Sequence, residues 1–310
     1  MKNERSWRLG AAIAIVAVLI VGILAVTKNQ NSKTDDKVSV VASYYPLYDF
    51  AKNVGGDKVS VKNITPVGSE PHDYEPSPQQ LVEAQKSNVF VYNGGTMEPW
   101  VDKFIADYKS IGVQAGSGID FVEGSDEETG ELSEDIKDPH FWLDPVLAQQ
   151  IVNNIRDGLI KADPKNKDYF SDRAKVYNDK LAQLDQDFKT GLATCQSRSA
   201  ITSHAAFGYL AKRYNLDIVS IAGITPGEEP SAAKLADLTK LVKEKQIKYV
   251  FFESLVSPKL AETVASETGA KTAVFDPVEG VSDEDQKQGK DYLSVQRENL
   301  ANLRTALACQ

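Results

Sequence analysis

The pattern of hydrophobic and polar residues predicts strands alternating with helices along most of the chain. Short, largely β-branched runs are typical of buried strands, and amphipathic stretches of roughly 10–15 residues between them are typical of helices. The predicted strands are Val38–Ala42, Val59–Ile64, Val89–Tyr92, Ala200–Thr202, Asp217–Ala222, Ile247–Phe252 and Thr272–Phe275. Strands that alternate with helices in this way imply βαβ units and mainly parallel sheets.

One segment in the middle of the chain predicts a single long helix. Between Lys165 and Leu192 apolar residues recur at spacings of three and four, which gives one apolar stripe along about 40 Å of helix. We therefore expect an α/β fold in which two lobes are joined by a rigid helix. The first lobe is predicted at 38–163, the connecting helix at 164–194 and the second lobe at 195–310.

The first 37 residues predict a membrane segment and a polar linker. Lys2, Arg5 and Arg8 precede an apolar stretch from Leu9 to Val26. As a helix this stretch spans about 27 Å, close to one hydrocarbon core. Basic residues on its amino-terminal side place that end in the cytoplasm and the rest of the chain outside. We expect an uncleaved anchor that tethers an extracytoplasmic protein, with a cleaved signal as the alternative.

Composition narrows the functional classes. The chain has a net charge of −9 and 42% hydrophobic residues, typical of a globular protein, and no basic patch that would favour nucleic acid. Residues 118–137 are acidic and contain glycine, which predicts a mobile surface loop. The two cysteines, Cys195 and Cys309, predict a disulfide in an exported protein, because neither lies in a Cys-x-x-Cys arrangement that would favour a metal.

The candidate chemistry lies in the three histidines. His72, His140 and His204 are the only histidines in the chain, and each follows a predicted strand or lies in a loop before a helix, as does Asp276. Loops at the carboxyl ends of strands are where open α/β sheets bind ligands. Three imidazoles and one carboxylate form a ligand set suited to zinc, whereas more carboxylates would favour manganese. We therefore predict a metal site in the cleft between the lobes.

Carboxylates next to these histidines in sequence are candidates for a supporting role. Asp73, Asp138 and Asp144 each lie within four residues of His72 or His140. Carboxylates in such places commonly accept the second ring N–H of a metal-binding histidine and orient the ring. The sequence leaves open which of the three do so.

The chain resembles a known family on five segments. Over residues 38–308 it is similar to the metal-specific solute-binding proteins of bacterial ABC importers, of the zinc-uptake type (cluster A-I). The resemblance lies in the segments 70–78, 138–145, 203–214, 228–231 and 275–277. It implies two α/β lobes joined by one long helix, with the metal buried between them, and an ABC transporter permease as the partner of a monomeric receptor.

By position, this resemblance implies a ligand set. His72, His140 and His204 match the family's nitrogen ligands, and Asp276 matches its late carboxylate, with Glu70 or water as the substitute. Histidine at the third position resembles the zinc binders, since manganese binders tend to carry glutamate there. The chain departs from the family's pattern in two ways. Its acidic loop lacks histidine, and its apolar anchor stands where many relatives carry a lipid-modified cysteine.

Several alternatives stay open at this point. Manganese instead of zinc as the transported ion is one, and a metal-dependent surface adhesin is another. A zinc hydrolase is the alternative from a different class, with Glu228 and Glu253 as possible bases. No His-Glu-x-x-His motif is present, and four protein ligands leave no position for a reacting water. We therefore expect a receptor and not an enzyme.

Overall fold

Two four-stranded parallel sheets form the framework of the protein. The computed structural model describes residues 37–125, 132–227 and 230–310, so the predicted anchor at Leu9–Val26 lies outside the described residues. The sheets have the orders β2-β1-β3-β4 and β10-β9-β7-β8, and every neighbouring pair within them is parallel. The prediction of two α/β lobes is confirmed.

Within the described residues, the first lobe carries six strands and four helices. The elements are β1 (Val38–Ala42), α1 (Tyr45–Gly55), β2 (Val59–Asn63), α2 (Pro78–Gln85), β3 (Val89–Tyr92), α3 (Val101–Asp107), β4 (Ile111–Gln114), β5 (Glu123–Ser125), β6 (Leu132–Lys137) and α4 (Pro145–Ala162). Helix α2 begins at Pro78, where Ser77 and Gln80 form a reciprocal capping box. A single 3₁₀ turn at Phe141–Leu143 connects β6 to α4.

The second lobe follows one long helix, α5 (Lys167–Gly191). Its elements are β7 (Ser199–Thr202), α6 (Gly208–Tyr214), β8 (Asp217–Ser220), α7 (Ala232–Glu244), β9 (Tyr249–Phe252), α8 (Lys259–Thr268), β10 (Lys271–Val274), α9 (Asp283–Lys287) and α10 (Tyr292–Ala306). Among the described residues, no helix is both long enough and apolar enough to cross a bilayer.

Helix α5 buries the predicted apolar stripe. Its 25 residues contact α1 and α4 of the first lobe and α10 of the second. Along the stripe, residues from Phe170 to Phe188 are buried. One continuous hydrophobic core runs from β1 through this helix to α10. Burial against both lobes therefore makes α5 the rigid connector that the periodicity predicts.

The acidic segment 118–137 is not the simple loop that the sequence predicts. Strands β5 and β6 pair within it as an antiparallel hairpin. Strand β4, which contains Gly112, and the short helix α9 have no counterpart among the predicted elements. These elements are brief and polar or glycine-containing, so their hydrophobic pattern is weak.

A disulfide closes the second lobe. Cys195 lies just beyond α5 and Cys309 just beyond α10, and the two are bonded across a sequence separation of 114 residues. Their backbones also form an isolated antiparallel bridge. In the chain-entropy model a loop of this length contributes up to about 4–5 kcal/mol to stability.

Candidate metal centre

Four side chains converge at the carboxyl ends of the strands. His72 lies in the segment between β2 and α2, and His140 lies between β6 and the 3₁₀ turn before α4. His204 follows β7, and Glu279 follows β10. His72, His204 and Glu279 thus follow strands of the two parallel sheets, whereas His140 follows the β5–β6 hairpin, and the three histidines meet at one place.

The geometry of these side chains fits one shared metal ion. One ligand atom from each of the four residues lies within 4.8 Å of all the others. The Nε2 atom of His140 is 3.1 Å from that of His72 and 3.3 Å from that of His204. Ligands about 2.0–2.1 Å from a tetrahedral zinc ion are separated by about 3.3 Å. The spacing is therefore that of lone pairs directed at a common centre.

The carboxylate of Glu279 completes the group. Its Oε1 lies 3.0 Å from Nε2 of His140, 3.2 Å from that of His72 and 3.3 Å from that of His204. The side chains of all four residues are at most 4% exposed. A buried carboxylate is costly unless it is paired or coordinates a metal, and here its neighbours are three imidazole nitrogens.

Two of the histidines are oriented by a second carboxylate. Oδ1 of Asp138 lies 2.7 Å from Nδ1 of His140 and also accepts the His140 backbone N–H at 2.8 Å. Oε1 of Glu253 lies 2.7 Å from Nδ1 of His204 and accepts that residue's N–H at 3.2 Å. Such contacts fix which ring nitrogen faces the metal, because a carboxylate at Nδ1 leaves Nε2 free to coordinate.

The other candidates for this supporting role have different contacts. Asp144 caps helix α4 through the N–H groups of Val146 and Leu147, and it pairs with Arg213 of the second lobe. Asp73 has its carboxylate beside Gly227. Of the three aspartates that the sequence singled out, the structure brings only Asp138 to a histidine ring among the described residues.

Burial and charge shift the pKa values of the site in opposite directions. Burial disfavours the charged form of His140, but its hydrogen bonds to Asp138 and Glu279 outweigh this and raise its pKa. The pKa of His204 is raised further, since Glu253 and Glu279 outweigh burial. Burial lowers the pKa of His72. Despite burial, the histidines hold the pKa of Glu279 well below its ordinary value.

Asp276 does not join the cluster, which corrects the expected late carboxylate. Its Oδ1 accepts the N–H of Val278 at 2.7 Å, and its Oδ2 accepts the N–H of Ser254 at 3.3 Å. The backbone of Val278 is left-handed, with φ of 57°. This turn directs Asp276 back onto its own loop and brings Glu279, three residues later, to the histidines.

Glu70, the substitute considered from the sequence, lies beside the cluster. Its Oε1 accepts the N–H of His72 at 3.2 Å, while its buried Oε2 has no hydrogen-bond partner among the described residues. Burial, reinforced by the charge of Glu279, raises the pKa of Glu70 to about 9. Glu70 therefore lies next to the cluster but is not one of the four side chains that meet in it.

Comparison with known proteins agrees with this geometry. The family model described as "ZnuA: Zinc-uptake complex component A periplasmic" matches residues 40–306. This chain belongs to that zinc-uptake family. Within the family, the "High-affinity zinc uptake system protein ZnuA" of Bacillus subtilis (strain 168) is 42% identical over 290 residues, 91% of each chain.

Solved structures of family relatives share the fold. The Zn(II)-bound ZnuA-like domain of Streptococcus pneumoniae AdcA is 39% identical, with a TM-score of 0.76 over 87% of this chain and 99% of that domain. The laminin-binding protein Lmb of Streptococcus agalactiae is 34% identical, with a TM-score of 0.79 and the same coverage. Its structure is described as that of a bifunctional protein with adhesin and metal-transporting activity.

Proposed function

We propose that this chain is an extracytoplasmic receptor that captures Zn²⁺ with His72, His140, His204 and Glu279 and delivers it to an ABC transporter permease. The observation that carries the proposal is the convergence of three Nε2 atoms and one carboxylate oxygen within 4.8 Å of one another in a buried site. Zinc-uptake relatives that align over nearly the whole chain support the same function.

The donor set favours zinc over manganese. Three imidazole nitrogens and one carboxylate oxygen suit zinc, whereas manganese prefers more oxygen ligands. The residue type at position 204 decides between the two metals. A carboxylate in place of His204 would give two nitrogen and two oxygen ligands. The Zn(II)-bound AdcA domain supports zinc as the ion carried by this fold.

A hydrolytic role is disfavoured by the coordination number. A catalytic zinc site keeps one position open for water or substrate, usually beside three protein ligands. Here a fourth protein ligand lies at 3.0–3.3 Å from all three histidine nitrogens. Glu253, once a possible base, is engaged with the far side of the His204 ring. The site is thus built for capture.

Tethering to the membrane is part of the proposal. The apolar stretch Leu9–Val26 follows basic residues, an arrangement typical of a segment that anchors an exported protein. A receptor held at the membrane remains close to its permease, which raises its effective concentration there. We further propose that it acts as a monomer.

A surface adhesin is the second candidate, because the similar Lmb structure is described as bifunctional. Binding of immobilised laminin by the wild-type chain would favour it. Adhesion that is unchanged in a His72→Ala/His140→Ala double variant would place that activity outside the metal site.

Two measurements test the receptor proposal. The full chain in detergent, stripped of metal, is titrated with Zn²⁺ and with Mn²⁺ in a competition assay. We expect one Zn²⁺ per chain, much weaker Mn²⁺ binding, and severe loss of zinc affinity in His140→Ala. The matched control is Asp49→Asn, since Asp49 is also buried but accepts a hydrogen bond from the Tyr177 hydroxyl of α5. Unchanged zinc affinity in His140→Ala contradicts the proposed site.

Delivery needs a test in cells. A bacterial strain that lacks its own zinc receptor but keeps the permease is supplied with this chain. We expect growth to recover in zinc-limited medium with the wild type and to stay impaired with His140→Ala. Equal growth with both chains contradicts delivery through this site.

A further inference from the structure

The turn that carries Glu279 is anchored at its start by helix α10. Oδ1 of Asn299 accepts the backbone N–H of Asp276 at 2.8 Å, and its Nδ2 donates to the Asp276 carbonyl at 2.6 Å. Asn299 is buried, and both the oxygen and the nitrogen of its side-chain amide take part in this contact. The backbone of Asp276 is therefore fixed to the second lobe before the chain turns towards the metal centre.

The next residues adopt a conformation that needs support. Val278 has φ of 57°, a left-handed conformation that is a genuine outlier for a β-branched residue. Its side chain is fully buried. Glycine, the residue that adopts this backbone conformation most readily, could therefore not replace it without loss of packing. Outliers of this kind persist only where their surroundings enforce them, and they gather at binding sites.

The carboxylate of Asp276 supplies that support. Its Oδ1 accepts the Val278 N–H at 2.7 Å, a hydrogen bond within the turn itself. Nε1 of Trp142, in the first lobe, donates to the Pro277 carbonyl at 2.8 Å and gives the turn a second hydrogen bond. Glu279 follows immediately, and its Oε1 reaches all three histidine nitrogens within 3.3 Å.

We infer that Asp276 is a positioning residue, which sets the location of the Glu279 ligand by locking the left-handed turn at Val278, with Asn299 as its anchor. This inference rests on the proposed function, because it requires Glu279 to be a metal ligand. Asp276 itself is not one of the four residues whose side chains meet in the cluster. It contributes to zinc affinity only by setting the position of Glu279.

A double-mutant cycle separates positioning from general structural support. Zinc affinity of the full chain is measured for Asp276→Ala, Glu279→Ala and the double variant. We expect Asp276→Ala to weaken zinc binding about 10–100-fold, the usual effect of losing a residue that orients a ligand. In the Glu279→Ala background the same substitution is expected to have almost no further effect, because the ligand it positions is already absent.

Two further variants sharpen the result. Asp276→Asn keeps an oxygen that can accept the Val278 N–H, so we expect it to restore most of the affinity lost in Asp276→Ala. Asp49→Asn is the matched control, since this other buried aspartate accepts a hydrogen bond from the Tyr177 hydroxyl, is not one of the clustered side chains and is expected to change stability alone.

Cobalt(II) provides a spectroscopic measurement that stability alone does not alter. With Co²⁺ in place of zinc, we expect Asp276→Ala to alter the visible absorption bands in the same direction as Glu279→Ala, and Asp49→Asn to leave them unchanged. If Asp276→Ala does not fold, Asn299→Ala takes its place in the same cycle, because it releases the turn from the other side.

The inference is overturned if Asp276→Ala costs the same factor with and without Glu279, or if it leaves both affinity and cobalt spectrum unchanged. In those cases Glu279→Ala still lowers affinity, and the proposed function stands. Unchanged zinc affinity in Glu279→Ala overturns the proposed four-ligand site, and this inference with it.

Discussion

The two ligand segments of the first lobe are held in very different ways. The segment around His140, residues 138–144, is hydrogen-bonded mainly to the second lobe. Trp142 donates to Pro277, the Tyr292 hydroxyl donates to the Trp142 carbonyl at 2.5 Å, and the Tyr209 hydroxyl donates to the Asp138 carbonyl at 2.9 Å. From its own lobe, Nδ2 of Asn93 donates to the Pro139 carbonyl at 2.9 Å.

The segment around His72, residues 68–74, is held by longer backbone hydrogen bonds. No regular helix or strand lies between Asn63 and Pro78. Its backbone bonds include Tyr74 N–H to the Pro71 carbonyl at 3.3 Å and Gly68 N–H to the Val281 carbonyl at 3.2 Å. The ring of His72 faces His140 and Glu279 through Nε2.

The site therefore consists of a rigid part and an adaptable part. His140, His204 and Glu279 lie on segments fixed to the second lobe, and both of those histidines have a carboxylate at Nδ1. His72 lies on the segment with the weaker backbone support. Regions with few buried contacts open at the lowest free energy, so we expect entry and release of the metal to depend on His72.

The largest expected effect is the loss of a fixed ligand. His140→Ala removes the ring whose Nε2 contacts all three other ligands, so we expect zinc affinity to fall by at least about 100-fold, equivalent to about 3 kcal/mol. His72→Ala is expected to cost less affinity and to accelerate zinc release more, since its segment adapts more readily. Competition titration and stopped-flow chelation measure the two quantities. Equal effects of both variants on affinity and release contradict the comparison.

The pH dependence of zinc binding follows from the raised pKa values of His140 and His204. In the metal-free protein these rings hold protons above the ordinary pKa of about 6.5, and zinc must displace them. Affinity is therefore expected to fall as pH decreases, by about tenfold per pH unit for each displaced proton. Calorimetry in buffers of different ionisation enthalpy measures the released protons at pH 7. Undiminished affinity at pH 5 contradicts this prediction.

The stability of the metal-free protein should respond with the opposite sign. Raised folded-state pKa values of His140 and His204 contribute stability that is fully present below about pH 6.5 and is lost as pH rises through the folded values. Denaturant unfolding of the metal-free and zinc-loaded chain across this range measures both trends. If the metal-free and zinc-loaded proteins show parallel pH profiles, the proton–metal exchange at these rings is disproved.

Removal of a single bond between the lobes should have an intermediate effect. Trp142→Phe leaves the Pro277 carbonyl without its 2.8 Å donor in a buried site, at an expected cost of about 1–3 kcal/mol. Because Pro277 precedes Val278 in the turn that carries Glu279, we also expect weaker zinc binding. Denaturant unfolding and zinc titration measure the two effects. A change in stability without any change in zinc affinity would contradict the expectation that the Trp142–Pro277 bond supports the turn that carries Glu279.

The matched change in the His72 segment should have the smallest effect. Tyr74→Phe removes the hydroxyl that accepts a hydrogen bond from Nε2 of Gln80 at 2.6 Å. This tyrosine is half-buried, so water can replace the lost partner, and we expect a cost of about 0.5–1.5 kcal/mol. The same unfolding assay measures it. A loss of stability larger than that of Trp142→Phe would contradict the proposal that the His72 segment is held less rigidly than the His140 segment.

Much of the fold and three of the four clustered side chains were predictable from the sequence. The long apolar stripe of α5 and the β-branched runs are strong periodic signals, and the histidines are scarce and lie in distinctive loops. The hairpin β5–β6 was missed because its strands are short and acidic, so alternation of polar and apolar residues is nearly absent.

Glu279 could not be distinguished from Asp276 by pattern. Both are acidic, both follow β10, and they are three residues apart. The choice between them is made by the left-handed backbone of Val278, which no residue preference predicts for a β-branched side chain. The sequence indicated Glu253 only as a possible base of a hydrolase, because its contact with His204 joins residues 49 positions apart. Such information lies in the tertiary structure.

X-ray absorption at the zinc edge tests the four-ligand site most directly, on the zinc-loaded wild type and the Glu279→Ala variant. In the wild type we predict three nitrogen ligands at about 2.0–2.1 Å and one carboxylate oxygen at about 2.0–2.2 Å. In Glu279→Ala the carboxylate contribution should disappear while the three imidazoles remain. A spectrum that is identical in both proteins, or one with fewer than three imidazoles in the wild type, would contradict the site described here.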